Sequence, residues 1–356
     1  MGKTLLWRLP GLESREFAER NYGHVPVALS PDSKILVTGQ DRGTHIFQWD
    51  PVTGSPLRTL VGHTGDIESL AFSPDGRLLA SAGVDDTIRV WVAATGRPLR
   101  QFPGHKGGTY ALAFTPDGRT LISGGRDRVV RLWEVPTGAR RREVRGHDGA
   151  VFGMAISRDG RRLATAGEDR VVLLHDLSAQ ARIAELGRGA LRREELEKAW
   201  ADLADRDAAR ADRAILRLAL SPRIALPFLS DRLRPAPAID AGKLRSLIER
   251  LDDRRFAVRQ KAAGELEKLG ARVRPALRLV LVGRPVLEVR RRVERLLDTL
   301  EEELISREEL RAWRAIEALE QIETAEARAF LKRLASGAPG ARQTEAAEDA
   351  LKRRAP

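Results

Sequence analysis

Histidine, serine or threonine, and aspartate recur together in the first half of the chain at fixed spacings. These residue types could supply the base, the nucleophile and the orienting carboxylate of acyl-transfer chemistry, so a hydrolase is one hypothesis. A hydrolase needs such a set once per active site, whereas this set recurs three times. The recurrence favours an architectural role over a catalytic one. The sets are His63, Ser81 and Asp85; His105, Ser123 and Asp127; and His147, Thr165 and Asp169.

A second regularity gives the period of the repeat. Five positions follow one another at intervals of 42 residues, and the last of them carries histidine in place of tryptophan. The full units also contain a Gly-His pair, and the short apolar runs between these motifs are bounded by Pro, Asp and Gly. Such punctuation predicts strands joined by tight turns. The five positions are Trp7, Trp49, Trp91, Trp133 and His175.

A period of about 40 to 45 residues with four strands, a Gly-His pair and a Trp-Asp pair resembles the WD40 β-propeller family. The resemblance implies that a buried network of His, Ser or Thr, Asp and Trp holds each blade. A buried polar group without a partner costs roughly 1 to 3 kcal/mol, so a complete network stabilises its blade. The implied networks are His63, Ser81, Asp85 and Trp91; His105, Ser123, Asp127 and Trp133; His147, Thr165, Asp169 and His175; and, in the irregular first unit, His24, Thr38, Asp41 and Trp49.

The repeat predicts about four and a half propeller blades in residues 1–186. Residues 4–7 match the third strand of a blade and residues 15–20 its fourth, and four complete blades follow, from His24 to about Leu186. Propellers typically close a ring of about 4 to 8 blades, which removes open sheet edges, and the resemblance implies a larger ring than this. We expect further blades in a longer form of the chain. Completion of the ring by a second copy, as a homodimer, is the alternative, and a closed four-blade ring is a third.

The pattern changes in residues 187–356 to apolar residues three and four apart, which predicts an all-α domain. Two prolines in a short Ala-rich stretch predict a stiff linker near 234–241. Helix pairs over about 240–336 resemble HEAT-like repeats, because the pair Val258-Arg259 is echoed by Val289-Arg290. Stacked helix pairs of that kind bury their apolar faces against one another and present a curved binding surface.

The chain carries a formal net charge of +12, and basic residues concentrate in one part of the helical domain. Residues 254–295 hold 13 basic and 4 acidic side chains. Such a patch can bind nucleic acid or an acidic protein. Arg outnumbers Lys by 53 to 9 in the whole chain, however, which favours a general preference for Arg and an ordinary solvated helix face. The candidate contacts are Arg290, Arg291, Arg292 and Arg295.

Composition argues against several kinds of site. The chain has no Cys, which excludes disulfides and thiolate metal sites. Five of its six His fall on repeat positions, so we expect no metal centre and no cofactor. No apolar run reaches the roughly 18 residues of a membrane helix, and the N-terminus lacks the apolar core of a secretory signal. We therefore expect a cytoplasmic chain that does not cross a membrane.

These patterns predict a scaffold that binds other proteins, not an enzyme. Glu68, Tyr110 and Phe152 each lie five residues after a motif His, near where the WD40 resemblance implies partner contacts. Packing between blades is the alternative for the two aromatics. Bacterial proteins with this pairing of domains look similar, so we expect a bacterial origin. The alternative function is a nucleic-acid-associated module using residues 254–295, whose binding would depend steeply on salt.

Overall fold

The computed structural model describes residues 2–8, 13–21, 25–40, 42–178, 191–283, 285–302 and 305–353, of which 2–8, 13–21, 301 and 302 are described as backbone only. The chain divides into two compact units, Met1–Glu185 with Arg206–Ala209, and Leu186–Asp205 with Arg210–Pro356. Strands build the first unit and helices build the second. The domain boundary predicted at residues 186 and 187 lies outside the described residues.

The first unit contains antiparallel sheets in which consecutive strands are neighbours. A two-stranded sheet comes first, followed by the four sheets that we call blades 1 to 4. The strands of the partial sheet and blade 1 are β1 (Gly2–Arg8), β2 (Glu13–Asn21), β3 (Val27–Leu29), β4 (Leu36–Gly39), β5 (His45–Trp49) and β6 (Pro56–Val61). Those of blade 2 are β7 (Ile67–Phe72), β8 (Leu78–Gly83), β9 (Thr87–Val92) and β10 (Arg97–Pro103). Those of blades 3 and 4 are β11 (Thr109–Phe114), β12 (Thr120–Gly125), β13 (Val130–Glu134), β14 (Arg140–Val144), β15 (Val151–Ile156), β16 (Arg162–Gly167) and β17 (Val172–Asp176).

A repeated turn joins the first two strands of blades 2, 3 and 4. In blade 2, the Ser73 hydroxyl donates to Asp75 Oδ1 at 2.6 Å, and the backbone then turns through Gly76 with φ of +69°. Glycine adopts this left-handed conformation without the steric cost that a Cβ would bring. Gly118 and Gly160 repeat it with φ of +68° and +70°. The Asp-Gly motifs of the sequence therefore fix where each hairpin reverses.

Consecutive blades pack face to face, and apolar side chains from both blades form the core between them. The core between blades 1 and 2 contains Val37, Ile46, Leu60, Ile67, Leu70, Leu79 and Trp91. The core between blades 2 and 3 includes Ile88, Val90, Phe102, Leu112, Phe114 and Leu121. The core between blades 3 and 4 contains Ile122, Val130, Val151 and Leu163. Burial in this unit thus depends on neighbouring blades.

These elements confirm the predicted fold class, a multidomain chain with a propeller portion followed by an all-α region. β1 and β2 pair antiparallel at the positions predicted for the third and fourth strands of a partial blade. Blade 4 shows three strands in the described part of the chain. The place predicted for its fourth strand, ending near Leu186, lies outside the described residues.

The second unit consists of helices joined by short connections. In the described residues, its α-helices are α1 (Leu196–Asp202), α2 (Ala208–Ala219), α3 (Pro222–Arg232), α4 (Ala241–Glu249), α5 (Phe256–Lys268), α6 (Arg274–Val282), α7 (Leu287–Glu302), α8 (Arg307–Gln321), α9 (Ala325–Ala335) and α10 (Arg342–Arg353). Helix α8 starts at a capping box, in which the Ser306 hydroxyl accepts from the Glu309 N–H and the Glu309 carboxylate accepts from the Ser306 N–H.

The helices pack around two cores. Residues of α1–α3 and α8–α10 share one core, which includes Leu203 and Ile316. Residues of α4–α7 share the other, which includes Leu266 and Val293. The helical array predicted over residues 240–336 is therefore divided, because α8 and α9 pack with α1–α3 and α10. The helical period identified the apolar faces of α8 and α9, but it does not specify which helices cover them.

Polar contacts join these two groups of helices. The buried Arg274 of α6 donates to the Gly340 carbonyl at 3.2 Å and pairs with Glu345 Oε2 of α10 at 2.9 Å. In the predicted linker, the Ala236 carbonyl accepts from the Ala338 N–H at 2.9 Å. The linker is thus held by backbone hydrogen bonding in addition to the stiffness of its prolines.

The burial of Val289 on α7 can be tested by the substitution Val289→Asp. Val289 is buried in the core of α4–α7, and burying a carboxylate among apolar side chains costs free energy. We expect the free energy of unfolding to fall by about 3 kcal/mol or more, measured by urea denaturation. Arg291→Asp at a nearby exposed position is the control and should change it by less than about 0.5 kcal/mol. A Val289→Asp protein with the parent's midpoint would contradict this packing.

Candidate functional site

In blade 2, the structure brings together the four predicted network residues. His63 Nδ1 lies 2.8 Å from Asp85 Oδ2, and His63 Nε2 lies 2.7 Å from Ser81 Oγ. Trp91 Nε1 donates to the same Ser81 Oγ at 2.8 Å. His63 lies in the loop before β7, Ser81 on β8, Asp85 in the following turn and Trp91 on β9. Four separate segments of the chain therefore meet at one buried point.

Blade 3 repeats the arrangement almost without change. His105 Nδ1 lies 2.7 Å from Asp127 Oδ1, and His105 Nε2 lies 2.7 Å from Ser123 Oγ. Trp133 Nε1 donates to Ser123 Oγ at 2.8 Å. The equal spacing of these residues in the two repeats thus gives the same set of hydrogen bonds in both blades.

Blade 4 keeps the geometry with histidine in place of tryptophan. His147 Nδ1 lies 2.9 Å from Asp169 Oδ2, and His147 Nε2 lies 2.9 Å from Thr165 Oγ1. His175 Nε2 lies 2.9 Å from the same Thr165 Oγ1. A ring N–H of His175 can therefore make the hydrogen bond that the indole makes in blades 2 and 3.

Blade 1 shows part of its predicted network. Trp49 Nε1 donates to Thr38 Oγ1 at 3.0 Å. This hydrogen bond is equivalent to the one from Trp91 to Ser81 in blade 2. The other two predicted members, His24 and Asp41, lie outside the described residues.

In blade 2, one arrangement of protons satisfies the imidazole, the hydroxyl and the indole of the network. A neutral imidazole with its proton on Nδ1 donates to the aspartate and accepts at Nε2. The serine hydroxyl then donates to Nε2 and accepts from the indole N–H. Ser81 and Ser123 are completely buried, so their hydroxyls are not accessible from solvent. Aspartate, histidine and serine are linked in the same order as in a hydrolase triad, but here the serine hydroxyl is buried inside the blade.

The environment keeps the imidazoles neutral and the carboxylates charged. Burial lowers the pKa of His63 and of His105, and the opposing influence of their aspartates is smaller. Burial alone would raise the pKa of Asp85, but hydrogen bonds from the Thr64 N–H, the Thr87 hydroxyl and His63 lower it overall. Each pair is therefore a neutral donor beside an ionised acceptor.

Two further side chains bind these aspartates and were not predicted from the sequence. Thr87 Oγ1 donates to Asp85 Oδ1 at 2.8 Å, and Arg131 Nη2 lies 2.7 Å from Asp127 Oδ2. Arg131 follows Asp127 by four residues, as Arg89 follows Asp85, so this spacing could have pointed to it. Thr87 gave no such signal, because blade 3 has Val129 at the equivalent position.

The predicted contact residues Glu68, Tyr110 and Phe152 occupy equivalent positions, each the second residue of the first strand of its blade. The strand pairing shifts register at each of them, between residues 67 and 69, 109 and 111, and 151 and 153. Such a β-bulge takes its residue out of the ladder and re-aims its side chain. We call these three residues the bulge positions.

The two aromatic bulge residues contact each other across neighbouring blades. The ring centroids of Tyr110 and Phe152 lie 5.2 Å apart. Tyr110 and Glu68 are half-buried, whereas Phe152 is 54% exposed. The aromatics therefore pack between blades, as the alternative interpretation holds, and Phe152 also faces solvent.

The predicted arginines of α7 differ in their surroundings. Arg290 Nε lies 2.8 Å from Glu294 Oε1, and Arg292 Nη2 lies 2.7 Å from Glu288 Oε1. Arg291 and Arg295 are exposed. Acidic residues one turn away on the same helix thus offset part of the positive charge of this group.

The described residues include no group of three or more His, Cys, Asp or Glu side chains that could hold a metal ion. Within the same part of the chain, no helix combines the length and the apolar character that a membrane crossing requires.

Comparison with protein families identifies three repeats in the first unit. The family model of the WD domain, G-beta repeat, matches residues 54–92, 96–134 and 138–176. Each match contains the last strand of one blade and the first three strands of the next. The chain therefore carries WD40 repeats in the segment that holds the three complete networks.

Several curated WD-repeat relatives match parts of the chain. Periodic tryptophan protein 2 homolog of Schizosaccharomyces pombe is 42% identical over 65 residues, which are 18% of this chain and 8% of the relative. Target of rapamycin complex subunit wat1 of the same species is 30% identical over 83 residues, 23% of this chain and 26% of the relative. Serine-threonine kinase receptor-associated protein of Gallus gallus is 39% identical over 64 residues, 18% of each chain. The matches thus span only a minor part of these relatives, all of which are eukaryotic.

The contribution of one hydroxyl to a blade can be tested by Ser123→Ala. The change removes the partner of both His105 Nε2 and Trp133 Nε1, and each unpaired buried group costs roughly 1 to 3 kcal/mol. We expect a fall of about 3 kcal/mol in the free energy of unfolding, measured with urea. Ser69→Ala, at a half-buried strand serine outside the networks, should cost less than about 1 kcal/mol. Equal losses for the two variants would contradict the role of the network.

The lowered histidine pKa values predict a dependence of stability on pH. Below pH 6.5, the ordinary value, the histidines of the unfolded chain bind protons, whereas His63 and His105 in the folded chain bind them only at lower pH. The unfolded state then holds more protons, so stability decreases as pH falls through this window. We expect a lower urea midpoint at about pH 5.5 than at about pH 8. The double variant His63→Gln and His105→Gln should show a smaller difference between the urea midpoints at the two pH values. Equal midpoints for the parent chain at both pH values would contradict this pH dependence.

Proposed function

We propose that the chain is a non-catalytic scaffold that binds other proteins through the bulge positions of its propeller portion and through a surface of its helical unit. The exposed Phe152, packed against Tyr110 at a bulge, is the observation that carries this proposal. Two of the matched relatives are named as a complex subunit and as a receptor-associated protein, which supports a role in protein assembly.

The state of the network hydroxyls supports a role without catalysis. A serine nucleophile must reach its substrate and must be free to give up its proton to the base. Ser81, Ser123 and Thr165 are buried, and each is hydrogen-bonded to a second side chain besides its histidine. The three sets therefore stabilise blades, and substrate access would require a blade to open.

The bulge positions have the chemistry of a protein-binding surface. Aromatic side chains supply much of the free energy in protein interfaces, because they bury a large apolar area with few rotatable bonds. Covering an exposed apolar surface gains about 25 cal/mol per Å². Tyr110 supports one side of the Phe152 ring, so little side-chain freedom is lost on binding.

The helical unit offers a second apolar surface. A groove of about 770 Å³ runs between α3 and α9 and is lined by Leu226, Pro227, Ala329 and Phe330, among others. Arg333 crosses this region, with its guanidinium 4.6 Å from the Phe330 ring centre and 2.6 Å from Ser230 Oγ. Mixed apolar and cationic surfaces of this kind suit a protein partner with apolar and acidic side chains.

A nucleic-acid-associated role for residues 254–295 is the alternative. The ion pairs of Arg290 and Arg292 weigh against it, because a phosphate backbone would have to compete with Glu294 and Glu288 for them. The HEAT-like character of the helices, the cytoplasmic location and the bacterial origin stay predictions from the sequence.

Partner binding at the bulge positions can be tested with Phe152→Ala. The full chain, immobilised through a tag, is used to capture proteins from the source cells, and recovery is measured by quantitative mass spectrometry. We expect the variant to lose at least one captured protein by about tenfold or more, since 1.4 kcal/mol of apolar contact corresponds to tenfold in affinity. Val52→Ala, in an exposed turn of blade 1, should retain the full set. Identical sets for Phe152→Ala and the parent would refute this binding surface.

A further inference from the structure

Blade 4 exposes positions that the preceding blades bury. The repeat-equivalent residues Ile46, Ile88 and Val130, on the third strands of blades 1, 2 and 3, are all buried against the next blade. Val172, at the same position of blade 4, is 71% exposed. Two residues further along the strand, Val90 of blade 2 is buried, whereas Leu174 of blade 4 is 67% exposed. We call this side of blade 4 its trailing face.

Blade 1 exposes the opposite set of positions. Val27 and Leu29, on the first strand of blade 1, are 52% and 42% exposed. They precede the Ser-Pro-Asp turn by the same number of residues as Leu70 and Phe72 precede theirs in blade 2. Leu70 and its blade 3 equivalent Leu112 are buried against the preceding blade. We call this side of blade 1 its leading face.

These two faces are the two halves of one type of contact. Three times within the chain, the trailing side of a blade packs on the leading side of the next blade, and apolar side chains from both form the core. Blade 4 presents the trailing half and blade 1 presents the leading half, each with branched aliphatic side chains turned to solvent. Such contiguous exposed apolar positions mark interaction surfaces in soluble proteins.

We propose that the trailing face of blade 4 packs against the leading face of blade 1 in a second copy of this chain. The second copy is the favoured occupant because the chain already contains both complementary surfaces and joins them three times internally. The contact is heterologous, since two different surfaces meet, and such contacts close into a ring where the rotation allows it. Counting blades 1 to 4 alone, two copies would supply eight blades, which lies within the typical range for propellers. The inference is independent of the proposed partner binding at Phe152.

Mass measurements on the full chain test this contact. We expect light scattering after size exclusion to give twice the 39.4 kDa chain mass at high micromolar concentration. Leu174→Glu changes only the trailing face and Leu29→Glu only the leading face, and each should raise the concentration at half-dissociation by about tenfold or more, because each places a charge in the apolar joint. Val52→Glu, at an equally exposed valine in a turn, should keep the parent's mass. Circular dichroism checks that each variant is folded, with Val172→Glu and Val27→Glu as a second pair.

A mixing experiment distinguishes this contact from a symmetric one. Leu174→Glu keeps an intact leading face, and Leu29→Glu keeps an intact trailing face, so a mixture of the two should associate at a concentration at which each alone is monomeric. One variant carries a fusion tag, so that the mixed species has its own mass. A monomeric parent, a dimer that both face variants leave unchanged, or a mixture that fails to associate would each overturn the proposal.

Discussion

A buried imidazole, hydrogen-bonded through both ring nitrogens, joins the loop, the strands and the turn in each of blades 2, 3 and 4. In blade 2 its partners are Ser81 and Asp85, and the indole of Trp91 completes the set through the serine hydroxyl. Since a buried polar group without a partner costs roughly 1 to 3 kcal/mol, the members are stable only together. Each network therefore fixes the loop before the first strand against the second and third strands of its blade.

The offset between sequence repeat and blade links neighbouring sheets. The matched segment 54–92 contains β6, the outer strand of blade 1, together with β7, β8 and β9 of blade 2. Each repeat therefore belongs to two blades, and a blade cannot be removed without leaving its neighbour incomplete. The apolar cores lie between neighbouring blades. Blade 1 has no described blade before it and blade 4 has none after it, so each leaves one apolar face uncovered.

The sequence specified the networks more fully than the surfaces. His63 and Trp91 could be assigned because histidine and tryptophan are rare in this chain and recur at fixed intervals, and equal spacing in a repeat gives equivalent positions in each blade. The bulges could not be foreseen, since a bulge depends on the register between two strands. The pairing of Arg290 with Glu294 could have been predicted, because residues four apart on a helix are neighbours. The two helical cores were not, because periodicity marks the buried side of a helix such as α8 and not the helix that covers it.

The bulge positions lie outside the hydrogen-bonded networks that hold each blade together. Glutamate, tyrosine and phenylalanine occupy the same bulge position in three successive blades, although the networks beneath them are nearly identical. A residue outside the hydrogen-bonded ladder can be exchanged for one of different size or charge without disturbing the strand pairing around it. A lineage can therefore change the side chains at these sites one substitution at a time while the blades keep their stability.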